Sequence, residues 1–133
     1  APDVGSTGPV RVYDAETGAL KFTFLPYSTN FNGGVRVAVG DVSFISLTQI
    51  LPAVFGVLDS GSEGIFLIKP QFEAQRADVE EGGIVRDPEV RMRCVEKIRM
   101  FVESEGQQWL GSIESSITGR EGNVEYLAHF RCT

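Results

Sequence analysis

Gly64-Ile-Phe-Leu-Ile-Lys-Pro70 is an apolar run with no polar break that stops at a lysine and a proline. A strand with one wet face alternates, whereas a short continuous apolar run is what a buried central strand of an α/β sheet presents. Pro70 cannot donate to a ladder, so the strand is expected to end near Lys69. Helix signals flank it on both sides. Upstream, Ser46 is a helix cap, and Leu47, Ile50, Leu51, Val54, Val57 and Leu58 share one broad apolar face. Pro52 is predicted to kink that helix, since it removes a hydrogen bond and crowds the preceding turn. Asp59-Ser-Gly-Ser-Glu-Gly64 reads as a loop. Downstream, residues 73–86 are charged and Gly-containing and read as a mobile surface loop. Asp87-Pro88-Glu89 then opens a second helix with a cap, a first-turn proline and a first-turn acid. Val90, Cys94, Val95, Ile98, Phe101 and Val102 form its buried stripe, and Gly106 is its stop. The helices are placed near 46–58 and 87–105, with further strands near 108–113 and 124–131.

The first 41 residues read as β structure and carry seven charged groups. Val10 and Val12, then Leu20, Phe22 and Phe24, alternate with polar neighbours around the turn-forming Asp14-Ala-Glu-Thr-Gly18, predicting a hairpin over 10–25. Asn30-Phe-Asn-Gly-Gly34 is a second turn, and Val35, Val37 and Val39 begin a strand over 35–41 that reaches Asp41. The chain is therefore expected to be α/β, a single domain over 1–133 with a mixed sheet of about six or seven strands.

Eighteen acidic groups against twelve basic ones give a net charge of −6, so nothing global draws the chain to nucleic acid or anionic lipid. Arg86, Arg91, Arg93, Lys97 and Arg99 are the one basic cluster. Glu89, Glu96, Glu103 and Glu105 interleave with them, predicting a salt-bridged wet face rather than a phosphate surface. Residues 42–133 hold 14 acids against 9 bases, which also argues against independent RNA binding. Two cysteines outside any CxxC suggest a reducing compartment; Cys94 falls on the helix stripe and Cys132, near the terminus, is expected to be exposed. His129, inside Tyr126-Leu-Ala-His-Phe130, reads as structural. Nothing points to a metal. Phe22, Phe24, Tyr27 and Phe31 read as core, with a homodimer patch as the alternative. The start lacks a basic and an apolar signal region, and Ile45 to Leu58 is broken and too short to cross a bilayer. A cytoplasmic location away from membranes is expected, and the opening at Ala1 without Met reads as a processed or excised piece.

Two resemblances refine this reading. Pro9-Val-Arg-Val-Tyr-Asp-Ala-Glu-Thr-Gly-Ala-Leu20 with Gly33-Gly-Val-Arg-Val-Ala38 resembles an FG-GAP repeat of integrin-type β-propellers. The calcium loop that follows the strand in that family is missing after Asp41. Asp41-Val-Ser-Phe-Ile-Ser-Leu47, Leu67-Ile-Lys-Pro-Gln-Phe-Glu73, Gly82-Gly-Ile-Val-Arg-Asp-Pro88 and Gly119-Arg-Glu-Gly-Asn-Val-Glu-Tyr126 resemble the C-terminal half of the hemolysin-A-like (TlyA) group of FtsJ-type RNA 2′-O-methyltransferases. That resemblance implies a Rossmann-like sheet, S-adenosylmethionine as cofactor, and methyl transfer to a ribose 2′-hydroxyl by a Lys-Asp-Lys-Glu group. Asp41, Lys69 and Glu125 match the last three members; the first lysine has no equivalent here. Asp3-Val-Gly-Ser-Thr-Gly8 resembles the family's glycine-rich cofactor loop but runs directly into the hairpin. The expectation that follows is a chimera: an FG-GAP-like segment over 1–41 completes half a methyltransferase fold over 42–133. Its site residues would be vestigial, and it would have no bound cofactor and no independent catalysis. The alternative is a residual S-adenosylmethionine-dependent RNA methyltransferase acting on rRNA.

Overall fold

The computed structural model describes residues 10–13, 20–24 and 37–133. The chain divides into two compact units, Ala1–Arg36 and Val37–Thr133. In the first, β1 (Val10–Tyr13) and β2 (Leu20–Phe24) pair antiparallel, with Val10 opposite Phe24 and Val12 opposite Phe22. The expected turns at 14–18 and 30–34, the glycine-bearing stretch 3–8, and Tyr27 and Phe31 all lie outside the described residues.

The second unit runs β3 (Val37–Gly40), α1 (Leu47–Phe55), β4 (Glu63–Ile68), α2 (Pro70–Glu73), α3 (Pro88–Ser104), β5 (Gln108–Glu114) and β6 (Tyr126–Arg131). Its strands form one mixed sheet in the order β3-β4-β6-β5. The first pair is parallel, joined by the α1 crossover, and the other two pairs are antiparallel. The fold is thus α/β as expected, but among the described residues the mixed sheet has four strands rather than six or seven. The hairpin strands pair with each other in a two-stranded sheet of their own. A period-two pattern says that a strand has one apolar face; it does not say which neighbour the strand pairs with.

α1 and α3 cover one face of the sheet. Leu47 and Leu51 from α1, Val95, Ile98 and Val102 from α3, and Phe66, Ile68, Tyr126, Ala128 and Phe130 from the strands form the main core. Burial in β4 alternates, with Gly64, Phe66 and Ile68 buried and Ile65 36% exposed. The apolar run is therefore covered less evenly than a strand packed on both faces. Gly64 stands opposite Phe130 in the β4–β6 register, and a Cβ there would come within 2.2 Å of the Phe130 ring. Phe55 meets that ring edge-on, with centroids 5.3 Å apart.

The helix boundaries follow from local chemistry. The Ser46 side chain accepts from the Thr48 N–H, and α1 continues through Pro52 before ending at Phe55, short of the expected Leu58. The Asp87 carboxylate accepts from the Glu89 N–H at 2.8 Å with Pro88 in the first turn, and Gly106, at φ 78°, follows the end of α3. Two expectations are overturned. Cys132 is 4% exposed rather than open, because its backbone continues the ladder to Ser62 and Gly61 and carries the thiol into the core. Burial pushes that thiol's pKa up, as it does for Cys94. Nor is the 73–86 stretch a loose loop. It holds a 3₁₀ turn at Arg76–Asp78 and a bridge between Glu80 and Ile84, and Val85 is buried against Val90 and Cys94. Asn123 accepts from the Val85 N–H at 3.0 Å and donates to the Gly83 carbonyl at 2.9 Å. No helix among the described residues is long and apolar enough to cross a membrane.

Candidate active site

Open α/β sheets take ligands beyond the carboxyl ends of their parallel strands. β3 ends at Gly40 and β4 at Ile68, so Asp41 and Lys69 are the first residues past those ends. Lys69 Nζ lies 2.6 Å from Asp41 Oδ1 and donates to Ser43 Oγ at 3.0 Å. The Lys69 side chain is 13% exposed and that of Asp41 67%. The lysine is thus held against the protein while its carboxylate partner faces outward. Pro70 follows immediately and is fully buried, and Lys69 keeps the extended backbone that a residue before proline prefers.

Glu125, immediately before β6, is 6% exposed. Its Oε1 accepts from the Gln71 side-chain amide at 3.4 Å. Gly119 closes over the carboxylate so tightly that a Cβ there would meet Oε1 at 2.2 Å. The structure therefore joins Asp41 and Lys69 directly, and brings Glu125 to the same Lys69–Glu73 segment through Gln71. The oxygen of that amide, Gln71 Oε1, is buried with no hydrogen-bond partner among the described residues. Gln71 also lines a cavity of about 540 Å³ with Arg76, Glu80 and Gly83.

Four further residues belong to this neighbourhood and were not singled out from the sequence: Ser43, Phe44, Gln71 and Phe72. All fall inside the two motifs already quoted, at 41–47 and 67–73, so the available signal was position within a motif. Phe44 is 90% exposed and sits at φ 65°, a conformation costly for an aromatic residue, with its ring centroid 5.1 Å from that of Phe72. His129 lies elsewhere, on β6, with Nε2 2.8 Å from Glu63 Oε2. Within the basic cluster, Arg86 pairs with Glu80, Arg93 with Asp78, Lys97 with Glu73, and Arg99 with both Glu96 and Glu103. Among the described residues no group of three or more His, Cys, Asp or Glu could hold a metal ion.

A parallel strand pair with an acid and a lysine at its carboxyl end, and a buried glutamate tethered beside it, places the candidate site of this α/β protein at the end of its sheet. The sequence profile of the FtsJ-like methyltransferases matches residues 10–132, and the chain belongs to that family. It is 45% identical over 94 residues to hemolysin A of Brachyspira hyodysenteriae, covering 71% of this chain and 39% of that protein. It is 41% identical over 119 residues to YqxC of Bacillus subtilis, covering 87% and 42% respectively. With the 16S/23S rRNA (cytidine-2′-O)-methyltransferase TlyA of Mycobacterium tuberculosis it shares 38% identity over 99 residues, covering 74% and 37%. A crystal structure of a candidate hemolysin from Lactococcus lactis superposes with a TM-score of 0.71 at 42% identity, covering 74% of this chain and 47% of that one. The chain spans about two-fifths of the length of the curated relatives it matches.

These matches overturn the expectation of a chimera without catalysis. The family match begins at residue 10 and runs through the segment assigned to an FG-GAP repeat, so one family accounts for both parts of the chain. The FG-GAP reading rested on the residue strings at 9–20 and 33–38, which the family match spans from residue 10 onward.

Proposed function

We propose that this chain carries the catalytic carboxyl-terminal part of an S-adenosylmethionine-dependent RNA 2′-O-methyltransferase acting on rRNA, with Asp41, Lys69 and Glu125 as its working residues. The observation that carries the reading is the 2.6 Å Lys69–Asp41 pair at the carboxyl end of the parallel strands, in a chain of the FtsJ-like family. A named function of TlyA, cytidine-2′-O-methylation of 16S and 23S rRNA, supplies the substrate class.

The described residues fit the reacting end of the cofactor. Asp41 sets an exposed carboxylate just past β3, where negative charge favours a sulfonium or ammonium group. The residues that resemble a nucleoside-binding loop, Asp3–Gly8, lie outside the described set. When bound, S-adenosylmethionine supplies an electrophilic methyl group.

A ribose hydroxyl is a poor nucleophile until its proton is taken. As the methyl group passes from the cofactor's sulfur to the ribose oxygen, Lys69 would take that proton at Nζ, having first released one of its own to solvent. Asp41 and Ser43 hold the amine in place, and the Asp41 carboxylate stabilises the ammonium that results. Glu125 completes the acidic surround, fixed by Gln71 and Gly119. Phe44 exposes its ring beside this group, and a ring face is what an unstacked base takes up. Four of the five residues of the basic cluster, Arg86, Arg93, Lys97 and Arg99, are paired with carboxylates of the same chain and offer no comparable docking surface.

The test is methyl transfer from labelled S-adenosylmethionine to rRNA by the wild-type chain and by Lys69→Met. The expected loss is about 10²-fold or more, the usual contribution of a positioned general base, with an unchanged melting temperature. Equal rates in the two proteins, or a wild-type chain whose ¹H–¹⁵N correlation spectrum is unmoved by added S-adenosylmethionine, would overturn the reading.

A further inference from the structure

Lys69, Gln71 and Glu73 alternate along one short segment, and each side chain reaches a different part of the molecule. Lys69 goes to Asp41 and Ser43, Gln71 to Glu125, and Glu73 to the start of α1. The chemistry uses Lys69 and Glu125. It has no task for Glu73, the most deeply buried of the three: its side chain is 1% exposed.

That carboxylate is fully engaged. Oε1 accepts from the Leu47 N–H at 2.7 Å, and Oε2 accepts from the Ser46 hydroxyl at 2.6 Å and from Lys97 Nζ at 2.9 Å. Lys97 also donates to the Glu73 carbonyl at 3.0 Å. Burying a carboxylate is costly unless donors replace its water. Here they include the first free N–H of α1, a helix with no acidic residue in its own first turn. A nearby acid on α1 itself would satisfy that terminus equally well. The acid comes instead from the end of α2, 26 residues along the chain.

What this arrangement secures is the loop between β3 and α1. Over six residues that loop carries Asp41, Ser43 and the left-handed Phe44, then enters the helix at Ser46. A backbone held at positive φ in a bulky residue persists only where its surroundings over-determine it. Both clamps come from the same five-residue segment: Lys69 takes the Asp41 and Ser43 side, and Glu73 takes the Ser46 and Leu47 side.

We infer that Glu73 is a positioning residue of this site, its carboxylate fixing the 41–46 loop so that Asp41 and Ser43 meet Lys69. The consequence for methyl transfer rests on the function proposed above, whereas the geometry is present without substrate and is tested without it. Lys69 accessibility is read by competitive acylation and mass spectrometry on the full chain, for wild type, Glu73→Gln, Ser46→Ala and Val102→Ala. Val102 is buried in the core far along α3 and serves as the control for general loosening.

The expected result is severalfold faster acylation of Lys69 in Glu73→Gln, a smaller rise in Ser46→Ala, and none in Val102→Ala at matched fraction folded. In methyl-transfer assays Glu73→Gln then loses about 10- to 100-fold in kcat with KM little changed, as misplacement of a reacting group does. If Glu73→Gln does not fold, Ser46→Ala decides, because it leaves the bonds of Glu73 to the Leu47 N–H and to Lys97 in place. Lys69 reactivity unmoved by these changes, or moved equally by Val102→Ala, overturns the inference. A Lys69 response in a chain that transfers no methyl group upholds the positioning and sinks the methyltransferase reading instead.

Discussion

At the scale of single residues, two glycines show how tightly side chains and backbone meet. The Phe130 ring occupies the space a Gly64 side chain would need, and Phe130 is itself fully buried with no room to retreat. Gly64→Ala is expected to destabilise by about 1–3 kcal/mol or more, read as a lower urea midpoint with an unchanged slope. Gly83 and Gly82 differ: they adopt positive φ with open space around them, so a substitution there strains the backbone without a clash. Asp41, Lys69 and Glu125 were legible as a set only through motif resemblance, since no spacing rule links positions 28 and 56 residues apart. Glu73 was quoted inside its motif and yet passed over. Its role depends on the Ser46–Leu47 backbone, a relation that exists only after folding. The left-handed Phe44 was likewise invisible, because glycine or asparagine, not phenylalanine, signals that conformation.

At the scale of elements, what the sequence announces well is what short-range chemistry decides. The Asp87 cap, Pro88 and Gly106 bracket α3, and Ser46 starts α1, because each is a hydrogen bond or a φ restriction within a turn. The short α2 went unseen, since four residues carry no helical period. Pairing between strands was also out of reach: β1 pairs with β2, and the chain reverses direction between β4 and β6. α1 holds an exposed Pro52 in its interior, where the residue lacks an N–H and crowds the preceding turn. Pro52→Ala is expected to raise stability by about 1–3 kcal/mol, seen as a higher melting temperature.

For the molecule as a whole, the sheet's ionic edge sets a pH dependence. Arg131, and then His129, hydrogen-bond to Glu63 and hold its carboxyl below the usual glutamate range. Folding therefore favours the ionised form. The contribution is complete above the ordinary glutamate pKa and is lost as pH falls through the lowered one. Between about pH 5 and about pH 3, the melting temperature of Glu63→Gln should fall less steeply than that of wild type. The exposure of the group makes this a salt-sensitive effect. Family membership was the most legible whole-molecule property from residue 41 onward. Before that point the residue strings at 9–20 and 33–38 pointed to a different family, in a stretch that the FtsJ-like profile also covers. The pairing of Arg86, Arg93, Lys97 and Arg99 with carboxylates of the same chain has one more consequence. Cations already neutralised by the fold cannot stand in for the ions condensed along a polyanion. An RNA held by this part of the chain would release few of those ions on binding, so its affinity would vary only shallowly with ionic strength, and recognition would rest on fit at the strand ends rather than on a field felt from a distance.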